Sequence, residues 1–265
     1  MRPSEAIKGL IAVNTGILSH EGSIYPRKGS SLPVFAYVII HEKHIVLFDA
    51  GLSPLLAANP QKYLGRILDS TFPFRTKREW TLAEQLPGID RTMVDTIILS
   101  HRHLDHAGGV VDFNATVYIG AEEMKTHITL LGSLKGIKTQ DLPKGTKLRH
   151  PNFSKIRLPW DVASSFDLFD DESIILVKTP GHTEGSLACF LNTSPPILLA
   201  GDAFYTGPSS SRGDLLSILY YFKKHGHIFM AHDYPDVNLP WVQVIDPAGL
   251  QIIQKPKDFD PLVSE

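Results

Sequence analysis

The chain has 265 residues, with 26 Lys+Arg against 28 Asp+Glu and a formal net charge of −2. Its length accommodates one large domain with a sizeable core, and 43% apolar against 20% charged residues excludes a disordered chain. The balanced charge offers no positive field for a dedicated nucleic-acid binder, and a single cysteine excludes an internal disulfide or a Cys-rich zinc module.

Residues 1–18 carry Arg2, Glu5 and Lys8 and lack the apolar core and small-residue cleavage site of a signal peptide. Strands are expected at 10–15, 34–40 and 45–48. The apolar run 32–40 stops at His41, far short of the roughly 18 residues that a membrane span needs. A cytoplasmic protein with no membrane partner is expected.

Ser53 reads as a helix cap with Pro54 at the first helical position of 53–68, and Pro60 as its break. A short helix at 81–86 stops at Pro87-Gly88. A strand at 96–100 and another at 116–119 follow, and Gly120-Ala121-Glu122-Glu123 opens a helix with acids in its first turn. The polar stretch 139–159, with Pro143, Pro151 and Pro159, reads as a long surface connection.

Strands are then expected at 174–178, 187–191 and 197–200. The loop 207–211 precedes a helix at 214–224, which starts with an acid and ends with two lysines, and a last strand lies at 228–231. The strand runs are almost continuously apolar, as in sheets buried on both faces. Strands and helices interleave, which gives an α/β or α+β chain with helices covering sheets. No repeat or linker divides it, so residues 1–265 are read as a single domain.

The informative segment is His101-Arg102-His103-Leu104-Asp105-His106-Ala107-Gly108-Gly109, directly after the strand at 96–100. In extended backbone His101 and His103 project to one side and can share a metal ion. A turn after His103 swings Asp105 and His106 towards a second position. Imidazole with carboxylate suits Zn²⁺ and also Fe, Mn or Co. His20, His41, His44, His127, His150, His225 and His227 lie outside any such pattern and are read as solvated surface residues.

Further metal-competent side chains stand at other strand ends: His182 in Thr179-Pro180-Gly181-His182-Thr183, Asp202 after 197–200, and His232 after 228–231. Loops at strand ends on a rigid scaffold are where functional groups gather.

With these motifs, and with Phe48-Asp49-Ala50-Gly51, the sequence resembles the metallo-β-lactamase superfamily over most of its length. The resemblance implies an α+β fold, an αββα sandwich of two mixed β-sheets flanked by helices, with the site at one edge. It implies one metal site from His101, His103 and His182 and a second from Asp105, His106 and His232. It further implies that Asp202 bridges the two ions and that Asp49 orients ligands by hydrogen bonding. Cys189 lies inside a strand-like run and is read as a core thiol, not a ligand.

Within the superfamily the chain is most similar to the N-acyl homoserine lactone lactonases, through Leu32-Pro33-Val34-Phe35-Ala36-Tyr37, the complete ligand set, and Tyr205 three residues after Asp202. The resemblance implies quorum quenching on a small-molecule lactone or ester, with neither nucleic acid nor membrane as partner. Oligomeric state, a homodimer included, is left open.

Opening a lactone needs a nucleophile at neutral pH, stabilisation of the oxyanion and a proton for the leaving alkoxide. Water bridging two divalent ions has its pKa lowered towards ~7 and supplies hydroxide. Tyr205 is expected to donate to the oxyanion, and Asp105 or a water to protonate the leaving group. No G-x-S-x-G elbow is present, so Ser100 is read as structural. Leu18, Ile24, Phe72, Phe74 and Phe204 read as core residues ahead of an acyl-chain groove. A glyoxalase-II-like thioesterase, or a phosphodiester or organophosphate hydrolase, on the same metals is the alternative. The thioesterase is disfavoured by the short, Pro-rich stretch after His232. A non-catalytic metal protein is disfavoured by the completeness of the ligand set.

Overall fold

The computed structural model describes residues 1–19, 31–65, 69, 74–125, 136–154, 156, 158–160, 164–204, 213–235 and 239–247. His20, Ile24, Phe72, His127, Tyr205, the end of the expected 53–68 helix and the 207–211 loop lie outside the described residues.

Two sheets form the frame. The first contains β1 (Ile7–Ser19), β2 (Ser31–His41), β3 (Ile45–Phe48), β4 (Phe74–Arg75), β5 (Val94–Ile98), β6 (Thr116–Tyr118), β7 (Lys147–Arg149) and β13 (Val242–Ile245). Its order is β13-β1-β2-β3-β5-β6-β7, with β4 pairing to β1. The second contains β8 (Ser165–Asp167), β9 (Ile174–Lys178), β10 (Leu187–Leu191), β11 (Ile197–Gly201) and β12 (His227–Met230), in the order β12-β11-β10-β9-β8. Both sheets mix parallel and antiparallel pairs.

Alternation explains why the strands are apolar throughout. In β2, Phe35, Tyr37 and Ile39 enter the cluster between the sheets, while Ala36, Val38 and Ile40 enter a cluster on the outer face of the first sheet. In β10, Cys189 and Leu191 face inward; Ala188 and Phe190 pack outward with Leu215, Ile218 and Phe222 of the helix Gly213–His225. β2 and β10 thus bury both faces, as central strands of a covered sandwich do. The thiol of Cys189 is buried in β10, and burial pushes its pKa up, so it is a core group.

Helical cover on the first sheet is made of short turns, including Leu82–Gln85 and the 3-10 turn Gly108–Asp112. The expected 53–68 helix is split at Asn59 into Pro54–Ala58 and Pro60–Leu64. Ser53 accepts from Leu55 N and Asn59 from Lys62 N as caps.

Two sequence expectations are corrected. The 139–159 stretch is not a simple surface connection: it contains the 3-10 turn Thr139–Asp141 and β7, and Asp141 is buried. Its polar composition hid a buried acid held from a distant element, since Tyr63 donates to Asp141 Oδ1 at 2.6 Å. His41 is buried as well. Its Nδ1 accepts from Lys43 N, so its Nε2–H donates to Asp171 Oδ2 at 3.0 Å across the two sheets. Strands β4, β7, β8 and β13 were not expected; each is only two to four residues long and half polar or half exposed.

Candidate metal centre

Strands β3, β5, β9, β11 and β12 all run towards one edge of the sandwich. Asp49, His101, His182, Asp202 and His232 follow their C-terminal ends. The edge is sewn together by backbone bonds between the sheets, Phe35 N to Ala231 O at 2.8 Å and Leu187 N to Ser100 O at 2.8 Å.

After β5 the chain stays extended through His101 and His103, then turns into the short helix Leu104–Ala107 that carries Asp105 and His106. Gly108 and Gly109 let this turn lie on the Asp49–Gly51 loop. A Cβ on Gly109 would stand 2.1 Å from Ala50 O.

The structure brings together all of the proposed ligands it describes. His101 Nε2 and His182 Nε2 lie 2.9 Å and 3.0 Å from His103 Nδ1. Beside them, Asp105 Oδ2 is 3.4 Å from His232 Nε2 and 3.8 Å from His106 Nε2. Asp202 spans both groups: its Oδ2 is 3.5 Å from His182 Nε2 and from His106 Nε2, and its Oδ1 is 3.6 Å from His232 Nε2. Donors bonded at 2.0–2.1 Å around a tetrahedral ion stand ~3.3 Å apart, so the spacings suit divalent cations.

Proton placement fits the same reading. His106 Nδ1–H donates to Asp49 Oδ2 at 2.7 Å, and His232 Nδ1–H to Pro33 O at 2.8 Å. Ser100 Oγ donates to Asp49 Oδ2 at 2.9 Å and accepts from His101 Nδ1–H at 3.0 Å. Three rings therefore carry their protons on the outward nitrogen and turn Nε2 lone pairs inward. Among the described residues, His106 Nε2 and Asp202 Oδ1 are buried without a hydrogen bond, a costly state that a cation would relieve. His101, His103 and His182; His101, His106 and Asp202; and Asp105, His106 and His232 each have donor atoms within 4.8 Å of one another.

The electrostatics separate two kinds of ligand. Burial, reinforced by neighbouring imidazoles, holds His101 well below the ordinary value and His103 down at about 4, which favours the neutral form that can coordinate a cation. Burial also lowers His182. Burial would lower His106 and His232 too, but Asp202 and Asp105 beside both, and Asp49 beside His106, raise them instead. Burial opposes ionisation of Asp105 and Asp202, yet His106 and His232 keep Asp105 well below its usual range and Asp202 at about 2.

Asp49 hydrogen-bonds His106 as the resemblance implies, and Ser100, read from sequence only as structural, links Asp49 to His101. Sequence reasoning missed the Pro33 carbonyl that orients His232 and the buried Glu123 that binds the backbone beside His101. Neither carries a local signal: a carbonyl has no residue code, and Glu123 reads as a helix-opening acid. Leu18 and Phe74 pack against a cluster that includes Leu104, and Phe204 against the outer face of the second sheet. A cavity of about 440 Å³ lies beside Leu56, Pro60, Phe74 and Arg75.

Two mixed sheets face to face, with His and Asp donors converging at one edge, define the metallo-β-lactamase fold. The chain belongs to the metallo-beta-lactamase superfamily, whose family model matches residues 30–241. Among curated proteins it is similar to N-acyl homoserine lactonase AttM of Azorhizobium caulinodans, 30% identical over 183 residues, or 66% of each chain. It is also similar to N-acyl homoserine lactonase AiiA of Bacillus thuringiensis subsp. kurstaki, 26% identical over 193 residues, 71% of this chain and 70% of that one. The match to AttM thus spans just under two thirds of that relative's length. A solved mutant of B. thuringiensis AiiA with N-decanoyl-L-homoserine at its active site superposes with a TM-score of 0.64 at 21% identity, covering 86% of this chain and 94% of that one. That likeness establishes the fold. Among the described residues no helix is long and apolar enough to cross a membrane.

Proposed function

We propose that the chain is a dinuclear-metal hydrolase that opens the lactone ring of N-acyl homoserine lactones. The observation that carries the metal centre is Asp202, one carboxylate facing both donor groups, with His182 on one side and His232 on the other. The substrate class is supported by the relatives, which are named N-acyl homoserine lactonases. Residues 1–265 are read as one domain because both sheets supply ligands to this one site.

His101, His103 and His182 would hold one ion and Asp105, His106 and His232 the other, with Asp202 placed between the two groups; the donor set suits Zn²⁺. When bound, the ions supply a nucleophilic water of lowered pKa and a Lewis acid for the carbonyl oxygen. The chain's own groups do the rest. Asp105, kept ionised, takes the proton released by the attacking water and passes it to the ring oxygen as the C–O bond breaks. Tyr205, three residues beyond Asp202, donates its hydroxyl to the carbonyl oxygen as charge builds there.

The test is incubation of zinc-loaded protein with short- and long-chain N-acyl homoserine lactones, with Asp202→Asn as the blank. A product heavier by one water, formed well above the blank, is expected. No turnover with two ions bound would end the lactonase reading and leave thioesters and phosphodiesters as substrates to try.

A further inference from the structure

We propose that Glu123 is a positioning residue that sets the separation of the two loops carrying His101, His103 and His182, and so governs how tightly they hold their ion. The inference rests on the reading of these histidines as metal ligands.

Glu123 belongs to the 3-10 turn Ala121–Met124, which follows β6, and is 2% exposed. Its two carboxylate oxygens are divided between the loops. Oε2 accepts from Arg102 N at 3.0 Å, the peptide between His101 and His103. Oε1 accepts from Gly185 N at 3.0 Å, three residues beyond His182. The arrangement is locked from the other direction by Arg102 Nη1, which donates to Glu123 O at 3.3 Å.

The His182 loop is compact by itself. Thr179 N donates to Ser186 O and Gly181 N to Thr183 O, and Thr183 N donates to Ser186 Oγ. It can therefore move as a unit, and Glu123 fixes that unit to the His101–His103 segment. The fit leaves no slack: a Cβ on Gly120 would stand 2.2 Å from Gly185 O, and one on Gly185 would stand 2.7 Å from both Glu123 Cγ and Glu123 N.

Only an acceptor-only side chain with two oxygens satisfies two backbone N–H groups that arrive from different loops. An amide in its place sets an NH₂ against one of them. That loop then relaxes away, and the 3.0 Å spacing of His182 from His103 widens. The ion at the three histidines should feel this; the ion at Asp105, His106 and His232, whose supports are Asp49 and Pro33, should not.

The experiment is zinc titration of Glu123→Gln against a competing chelator, in the wild-type and the Asp105→Ala backgrounds. Thermal melts and near-UV circular dichroism of the metal-free proteins accompany it. Wild type should hold two ions tightly. Glu123→Gln should weaken one of them by about 10- to 100-fold and leave the other unchanged. Asp105→Ala should retain the three-histidine ion, and adding Glu123→Gln should weaken that ion by the same factor. Gly185→Ala, which presses on Glu123 from the far side, should reproduce the selective loss with the metal-free fold intact.

Equal zinc affinities in wild type, Glu123→Gln and Gly185→Ala would overturn the proposal. So would metal-free unfolding of both variants, which would place Glu123 in the fold and not in the site. Wild-type protein that holds no zinc would instead overturn the ligand reading, and the proposal with it.

Discussion

Asp49 Oδ2 accepts the Nδ1 proton of His106 at 2.7 Å, with both side chains buried. The same carboxylate receives Ser100 N at 2.7 Å and Ser100 Oγ at 2.9 Å, and that hydroxyl in turn holds His101. One residue just after β3 thereby fixes the tautomer and aim of two imidazoles in the segment that follows β5. Asp49→Asn keeps the size of the side chain but offers an NH₂ that competes for the role of donor to His106. Zinc affinity is expected to fall about 10- to 100-fold, measured by chelator competition. Unchanged affinity would mean that His106 is oriented by packing alone.

A second buried acid lies behind the metal motif. Burial pushes the Asp141 carboxyl from 3.8 up to about 7, although Tyr63, Lys138 and Arg102 all favour its charged form. The folded state thus keeps a proton that the unfolded chain releases near pH 4. Stability from this group is complete at low pH and declines as pH rises to about 7. Asp141→Asn removes the titration, and since Asp141 Oδ2 has no hydrogen-bond partner among the described residues, the amide forfeits no bond there. The melting temperatures of metal-free wild type and variant should converge near pH 4 and separate by roughly 8 °C at pH 8, the variant being the more stable. A constant gap across that range would contradict the raised value.

For Tyr205 the expectation rests on its offset from Asp202. Tyr205→Phe should lower kcat by roughly 10-fold or more with a smaller change in KM, because a hydrogen bond that strengthens in the transition state is lost. Unchanged steady-state constants on a homoserine lactone substrate would remove Tyr205 from the oxyanion's surroundings.

The site was largely legible in the sequence because metal chemistry restricts residue type and spacing together. His101, His103, Asp105 and His106 stand in one segment, and His182, Asp202 and His232 each follow an apolar strand. The same strands revealed buried sheets, since a sheet buried on both faces leaves a continuous apolar run, and the face-to-face sandwich was implied by the family resemblance. What stayed hidden depends on contacts between distant segments. The partner of Asp141 is Tyr63, 78 positions away, and the orienting group of His232 is the carbonyl of Pro33, 199 positions away. Strands β7 and β8 are short pieces with exposed or partly exposed residues, so packing and not periodicity defines them.

The most direct measurement is the rate of lactone opening as a function of zinc ions bound per chain, with occupancy and acid release followed on the same samples. Two ions per chain are expected. Metal-free protein should be inert, and turnover of an N-acyl homoserine lactone should reach its full value only as the second ion binds. Equal rates with and without metal, or two bound ions and no lactone opened, would contradict the account.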